Sequence, residues 1–340
     1  VQTTTPKPTI GITLGDPGGI GPEVIAKAIS DPALRALARW RIFGPRNAWE
    51  SAAGRAALPA GAELATVDCS PFTGVSYGDG PWVARSTAAG GEVSYRAVED
   101  AAKAALLPAS DPRHLDAIVT GPISKEAWAL AGHARFPGHT ELLASLCGCD
   151  RFGMFFHCEA LAGTALPGGL NVILATIHIP LAAVAPAITR ERVLHAIRLG
   201  QEACASLGIA SPRIAVCGVN PHAGEHGLLG AEDDREIRPA IEEARAAGID
   251  ASGPHPGDTI FIAAARGDFD LVVAMYHDQG LIPVKLLARD RTVNVTVGLP
   301  IVRTSPDHGT AFDIAGRWVA DAGSTAAAMR LAARLARAKR

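Results

Sequence analysis

The chain has 340 residues, 48% of them hydrophobic and 19% charged, which excludes a disordered chain and leads us to expect two domains or one large α/β body. Lys plus Arg number 32 against 34 Asp plus Glu, a formal net charge of −2, so no field of one sign exists to hold a polyanion or an anionic membrane, and neither nucleic acid nor membrane is an expected partner. The six cysteines, Cys69, Cys147, Cys149, Cys158, Cys204 and Cys217, lack C-x-x-C spacing and read as thiols kept in a reducing compartment.

Residues 1–8 are polar and contain proline, with no basic segment leading into an apolar one, and no apolar run reaches spanning length; a cytoplasmic location is the expectation. A first strand is expected over 9–14 and a first helix over 22–30, joined by Gly15-Asp-Pro-Gly-Gly-Ile-Gly-Pro-Glu23. Glycines there let backbone N–H groups approach an anion at the helix start, with Pro22 suited to the first helical position. The spacing is neither G-x-G-x-x-G nor a P-loop, and a tight structural turn is the competing reading. A strand over 40–44 follows, then a Gly/Pro/Ala-rich stretch over 52–91 read as loop-rich periphery. Next come a helix over 94–107, a strand over 117–120 and a helix over 124–131 that opens on Gly121-Pro-Ile-Ser-Lys125. Phe136-Pro-Gly-His139-Thr140-Glu141 puts polar groups at the entrance of a helix over 139–146, where Thr140 and the exposed N–H groups can hold a carboxylate or phosphate or merely cap the helix.

Three expected strands then run into histidine. Residues 171–177 lead to His178, 213–219 to His222 and 271–275 to His277, with helices over 190–207 and 236–247 between them. In open α/β sheets the carboxyl ends of the strands are where ligands bind. One histidine in such a place is usually structural, but three point to a divalent ion, since imidazole suits Zn²⁺, Co²⁺ and their like and leaves positions open for a substrate oxygen or water. Asp278 follows His277 directly, and Asp258 lies in Gly253-Pro-His-Pro-Gly-Asp258-Thr; carboxylates beside imidazoles orient rings, bind metal or relay protons, with helix capping as the plain alternative for Asp258. Lys285 stands alone among apolar neighbours in Ile282-Pro-Val-Lys285-Leu-Leu, which reads as a buried cation in need of an anion. Asn294 and Arg303 flank a strand over 293–297. A last helix over 324–338 carries Arg330, Arg334, Arg337, Lys339 and Arg340 near its end, where positive charge suits the helix dipole. The alternation of short β-branched runs with Ala-rich helices is that of an α/β protein with a substantially parallel sheet.

Five blocks together resemble the 4-hydroxythreonine-4-phosphate dehydrogenase family, PdxA, nearly end to end. They are Gly-Asp-Pro-Gly-Gly-Ile-Gly-Pro-Glu from Gly15, Pro-Gly-His-Thr-Glu from Pro137, Asn-Pro-His-Ala-Gly-Glu from Asn220, Tyr-His-Asp-Gln-Gly from Tyr276 and Asp-His-Gly-Thr-Ala-Phe-Asp-Ile-Ala-Gly from Asp307. The resemblance implies a two-domain α/β/α subunit, isocitrate/isopropylmalate dehydrogenase-like and not a Rossmann domain. It further implies one domain of 1–125 plus 303–340, a second of 126–302 with the active site in the cleft between them, and a homodimer with shared active sites. A divalent metal, Zn, Mg or Co, is implied on His178, His222 and His277, with ligands from both subunits. Substrate contacts fall to His139, Thr140, Lys285, Asn294 and Arg303, with Asp258 and Asp278 near the metal and the general base open among Asp258, Asp278, Lys285 and water. Gly309, Thr310, Ala311 and Asp313 are similar to the loop that holds the NAD adenosine in related decarboxylating dehydrogenases; NAD rather than NADP is the expected cofactor.

The implied reaction is oxidation of a secondary alcohol on a phosphorylated four-carbon acid, 4-phosphooxy-L-threonine of pyridoxine biosynthesis, followed by loss of CO₂. Asn220-Pro-His-Ala-Gly-Glu-His226-Gly-Leu-Leu departs from the Glu-Gly-Gly-His continuation of the biosynthetic enzymes. A second branch, acting on 4-phospho-D-threonate or 4-phospho-D-erythronate in sugar-acid catabolism, is therefore the alternative, and a metallohydrolase using a His-bound water the remote one.

Overall fold

A computed structural model describes residues 6–58, 64–67 and 70–339; Cys69 and the first five residues of the polar start lie outside the described residues. The strands are β1 (Thr9–Thr13), β2 (Arg39–Phe43), β3 (Leu64–Val67), β4 (Ala117–Thr120), β5 (Gly153–Cys158), β6 (Leu170–Leu174), β7 (Ile214–Cys217), β8 (Ala251–His255), β9 (Leu271–Ala274), β10 (Val293–Val297) and β11 (Arg303–Pro306). Tertiary contacts divide the chain into two compact units, Val1–Asp150 with Leu299–Arg340, and Arg151–Gly298. Residues 126–150, assigned on sequence grounds to the second domain, group with the first unit because the helices Lys125–Leu130 and His139–Cys147 pack on the helix Ala88–Leu106.

In the first unit the strand order is β3-β2-β1-β4-β11 and every pairing is parallel. A parallel sheet is covered on both faces, so its strands read as continuous apolar runs; Ile10, Ile12, Trp40, Ile42 and Ile118 are all fully buried. One cover is the helix Ala88–Leu106, which buries Val93, Ala97, Val98 and Ala101. It crosses the helix Lys125–Leu130 at Gly91, where an added Cβ would stand 1.9 Å from the Ala127 carbonyl oxygen. The helix Gly323–Ala338 packs on β11 and β4 through Ala328, Met329, Leu331 and Ala332.

In the second unit the order is β10-β5-β6-β9-β7-β8; β5 is antiparallel to both of its neighbours, while β6, β9, β7 and β8 are mutually parallel. Phe156, Val172, Leu174, Ala215, Val272 and Ala274 form its core with Phe261, Leu281 and Val284 from the covering helices. Burial of each such large side chain is worth about 1.5–3 kcal/mol relative to exposure. No helix among the described residues is long and apolar enough to cross a membrane.

The stretch over 52–91 is less irregular than its composition suggests: it contains the end of the helix Arg46–Arg55, strand β3 and the start of the helix at Ala88. Strands β5, β8 and β11 and the helix His277–Ala288 lie outside the expected elements. β8 contains Gly253 and Pro254, β11 is the polar sequence Arg-Thr-Ser-Pro, and the helix contains Pro283; each breaks the pattern by which such elements are read. No disulfide joins Cys147, Cys149, Cys158, Cys204 and Cys217.

Candidate functional site

The four parallel strands of the second unit end on one edge, and each end carries polar chemistry. β6 leads into His178, β9 into His277 and Asp278, β7 into the loop bearing His222, and β8 into the turn bearing Asp258. Because β9 lies between β6 and β7 in the sheet, the order across this edge is His178, His277, His222, Asp258. The rings of His178 and His277 stand 5.7 Å apart between centroids at 42°. Two imidazoles on one tetrahedral ion have centroids about 5–6 Å apart, given a metal–nitrogen bond of about 2.0–2.1 Å plus the ring radius.

Local bonds set these side chains. His277 begins the helix His277–Ala288, and its Nδ1 is 2.8 Å from Asp278 Oδ1, so Nε2 is the nitrogen turned away from the carboxylate. Gln279 bridges two strand ends: its Oε1 accepts the Met275 N–H at 2.6 Å and its Nε2 donates to the Gly218 carbonyl at 2.8 Å. His222, Ala223, Glu225 and His226 all have left-handed φ, between 45° and 57°, a conformation that L residues adopt at a cost and that clusters at functional sites. An open cavity of about 1040 Å³ is lined here by His222, Asp258, Asp278, Asn220, Tyr276 and Gln279 on its polar side, with Phe261, Ile262, Ile282 and Leu286 on its apolar side.

Asp258 is exposed and is not spent on the helix that follows, whose cap position is Thr259 with no side-chain cap. Lys285 corrects its sequence reading. It is exposed, because the helix turns Ile282, Lys285 and Leu286 outward while Leu281, Val284 and Ala288 face the core; apolar neighbours in sequence do not bury it. Asn294, on β10, is half-buried with an Oδ1 that is buried and has no hydrogen-bond partner.

For a divalent ion the donor set fits in kind, three imidazoles and no thiolate, and the His178–His277 spacing fits one ion. Among the described residues of the single chain, no group of three or more His, Cys, Asp or Glu is spaced to hold a metal.

In the first unit a second group gathers on β4, β11 and the helix His139–Cys147. Arg303 is 2% exposed and donates from Nε and Nη2 to Thr120 Oγ1 at 3.0 and 2.7 Å. Burial lowers its pKa to about 9, which still leaves a full charge at neutral pH. His139 is pushed well below the usual imidazole range, first by burial and then by the charges of Arg303 and Lys125. It is neutral at pH 7, and its Nε2 is buried without a partner. Thr140 is buried in the first turn of this helix, whose N-cap Gly138 contributes no side-chain bond. Lys125 is exposed at the start of its own helix. A buried guanidinium, a neutral imidazole with an unused nitrogen and a helix N-terminus without a side-chain cap thus stand together, with the Glu141 carboxylate of the same first turn close enough to favour the Arg303 charge.

Gly309, Thr310, Ala311 and Asp313 lie in a loop of the same unit; Gly309 and Asp313 are exposed, and Ala311 has φ 42°. The loop leans on the segment after β1, where the Ile20 N–H donates to the Thr310 carbonyl at 2.9 Å. Gly19 permits that approach, since a Cβ there would lie 2.8 Å from the same oxygen. The glycine-rich segment thus includes close backbone packing against the 309–313 loop.

Comparisons with known proteins identify the family. The family described as pyridoxal phosphate biosynthetic protein PdxA matches residues 36–332. The chain belongs to the PdxA family. It is 45% identical over 347 residues to a 4-hydroxythreonine-4-phosphate dehydrogenase of Geobacter metallireducens, covering 98% of this chain and 97% of that one. It is 42% identical over 345 residues to a D-threonate 4-phosphate dehydrogenase of Cupriavidus necator, covering 97% of each. The crystal structure of the 4-hydroxythreonine-4-phosphate dehydrogenase of Klebsiella pneumoniae matches with a TM-score of 0.79 at 37% identity, over 97% of this chain and 98% of that one. A β-decarboxylating dehydrogenase of Thermococcus kodakarensis, at 17% identity and a TM-score of 0.50 over 96% and 83%, shares the fold. As a PdxA member the chain is a dehydrogenase acting on a CH–OH group, which sets the metallohydrolase reading aside. Sequence reading passed over Thr120 and Gln279. Gln279 stood inside a quoted block, whereas nothing in the local sequence around Thr120 signals its bond to Arg303.

Proposed function

We propose that this PdxA member oxidises, with NAD, the secondary alcohol of a phosphorylated four-carbon acid and releases CO₂ from the resulting β-keto acid, with 4-phosphooxy-L-threonine as substrate. The observation that carries the proposal is the row of His178, His277 and His222 at adjacent strand ends, in a chain that also buries the Arg303 guanidinium. A divalent ion on those imidazoles would lower the pKa of the substrate hydroxyl and polarise the ketone. Arg303, His139 and Thr140 hold the phosphate and so fix which carbon is presented to the nicotinamide. Asn294 accepts a substrate hydrogen bond at its otherwise unpartnered Oδ1.

The chemistry balances without a further reactant. The carbinol carbon gives its hydride to NAD while the hydroxyl proton goes to Asp258, the carboxylate at this edge that has no capping duty. The bond to the carboxylate then breaks and CO₂ leaves; its electron pair passes to the ketone as an enolate, which takes back at carbon the proton held by Asp258. Asp278 orients the His277 ring. Lys285, carried on the exposed face of its helix, reaches substrate as a surface cation. Asp313 in the loop for the adenosine favours ribose hydroxyls over a 2′-phosphate, so NAD is preferred to NADP. Ile282 and Leu286, 65% and 82% exposed, are covered by a second copy of the chain, and ligands from both chains complete the metal set.

A second reading, oxidation of 4-phospho-D-threonate or 4-phospho-D-erythronate, is favoured by the similarity to the Cupriavidus relative, at nearly the same identity as the Geobacter one, and by His226 in the loop after β7. The test follows NADH absorbance with purified protein, a divalent metal and either NAD or NADP, with 4-phosphooxy-L-threonine and 4-phospho-D-threonate in parallel. Faster NADH formation with the first supports the proposal, and faster formation with the second supports the alternative. No NADH from either overturns both.

A further inference from the structure

The loop after β7 that carries His222 is wrapped around a carboxylate which nothing in the reaction uses. Asp233 is fully buried. Its Oδ1 accepts the Val219 N–H at 2.9 Å; its Oδ2 accepts the Asn220 N–H at 3.2 Å and Asn220 Nδ2 at 2.9 Å. Asn220 Nδ2 also donates to Glu232 Oε2 at 2.9 Å. Two glycines let the loop close over this carboxylate. A Cβ on Gly218 would stand 2.6 Å from Asp233 Oδ1, and one on Gly224 would stand 3.1 Å from Oδ2.

A carboxylate removed from water is costly unless hydrogen bonds replace its hydration. Asp233 has no ion-pair partner among the described residues, and what it gains is charge-assisted bonds to the loop, about twice as strong as neutral ones. The segment it holds needs such an anchor. His222, Ala223, Glu225 and His226 are left-handed without being glycine, and strain of that kind persists only where the surroundings over-determine it. The bonded residues Val219 and Asn220 lead straight into Pro221, whose fixed φ carries their placement to His222.

We infer that Asp233 is a positioning residue for the His222 imidazole: it locks the strained 219–226 loop so that the ring is presented at the strand-end edge before any ion arrives. The inference rests on the proposed metal role of His222. Carboxylates and amides behind a metal-binding histidine set its orientation, and their loss usually weakens metal binding by about 10- to 100-fold.

The test titrates Co²⁺ calorimetrically into the metal-free full-length wild type and its Asp233→Asn, Asn220→Ala and His222→Ala variants, with a thermal melt of each metal-free protein. Asp233→Asn keeps the shape but places a donor against the Asn220 donors. Asn220→Ala removes only the side-chain leg of the clamp and keeps the test open where Asp233→Asn does not fold. The expected result is affinity lowered by about 10- to 100-fold in Asp233→Asn and by a smaller factor in Asn220→Ala, with the Asn220→Ala melt close to wild type. A lowered melt with unchanged Co²⁺ affinity in both variants, while His222→Ala loses affinity, makes Asp233 merely structural and overturns the inference alone. Unchanged affinity in His222→Ala, or no binding by wild type, overturns the metal reading and the inference with it.

Discussion

Four half-buried histidines lead us to expect a pH response of the fold. His139 is held well below its unfolded value of 6.5, chiefly by burial, and His195, His255 and His308 are pushed the same way by the same cause. Below pH 6.5 the unfolded chain takes up protons that the folded chain refuses, so stability is fully present above that pH and is lost as pH falls from it toward the folded values. Urea unfolding between pH 8 and pH 5 is expected to show a falling midpoint, with a shallower fall in His139→Gln. An equal slope in the variant would remove His139 from that account. Asp258 carries a different expectation. If it takes the hydroxyl proton, Asp258→Asn lowers kcat by about 10²–10⁴ while KM changes little; steady-state NADH kinetics separates this from a binding role, which would raise KM instead.

At the scale of elements, what was readable in the sequence was what has a period or a boundary. The helix Arg190–Ser206 shows its Thr189 cap and apolar stripe, and β4, β7 and β9 are uniformly buried runs. The histidine-bearing strand ends were legible for the same reason, since each follows such a run. The missed elements are where tertiary context overrides local pattern. β11 is a strand of polar residues because Arg303 and Thr304 are buried there to serve Thr120 and the last helix, and no periodicity announces that. Lys285 was misread because seven apolar residues around it in sequence do not reveal which face of a helix it occupies. Close helix packing is similarly silent. Gly91→Ala forces the Ala88–Leu106 and Lys125–Leu130 helices apart at the Ala127 carbonyl, and a loss of about 1–3 kcal/mol is expected in chemical denaturation. Wild-type stability in that variant would mean the helices separate without cost.

For the molecule as a whole, the proposed pairing with a second copy is tested at exposed apolar side chains of the helices Ile260–Arg266 and His277–Ala288. Ile262, Ile282 and Leu286 are 55%, 65% and 82% exposed beside His222 and Asp278, and apolar surface of this kind next to functional groups marks an interaction site. Leu286→Glu is expected to convert a dimer to monomer in sedimentation velocity and to lower turnover with it; a monomeric wild type, or a fully active monomeric variant, would contradict shared sites. The central claim remains that His178, His222 and His277 converge on one ion. The most direct measurement is X-ray absorption on the zinc-loaded protein. The account predicts three imidazole nitrogens at about 2.0–2.1 Å, reduced by one in His222→Ala; a shell of oxygen ligands alone, unchanged by that substitution, would contradict it.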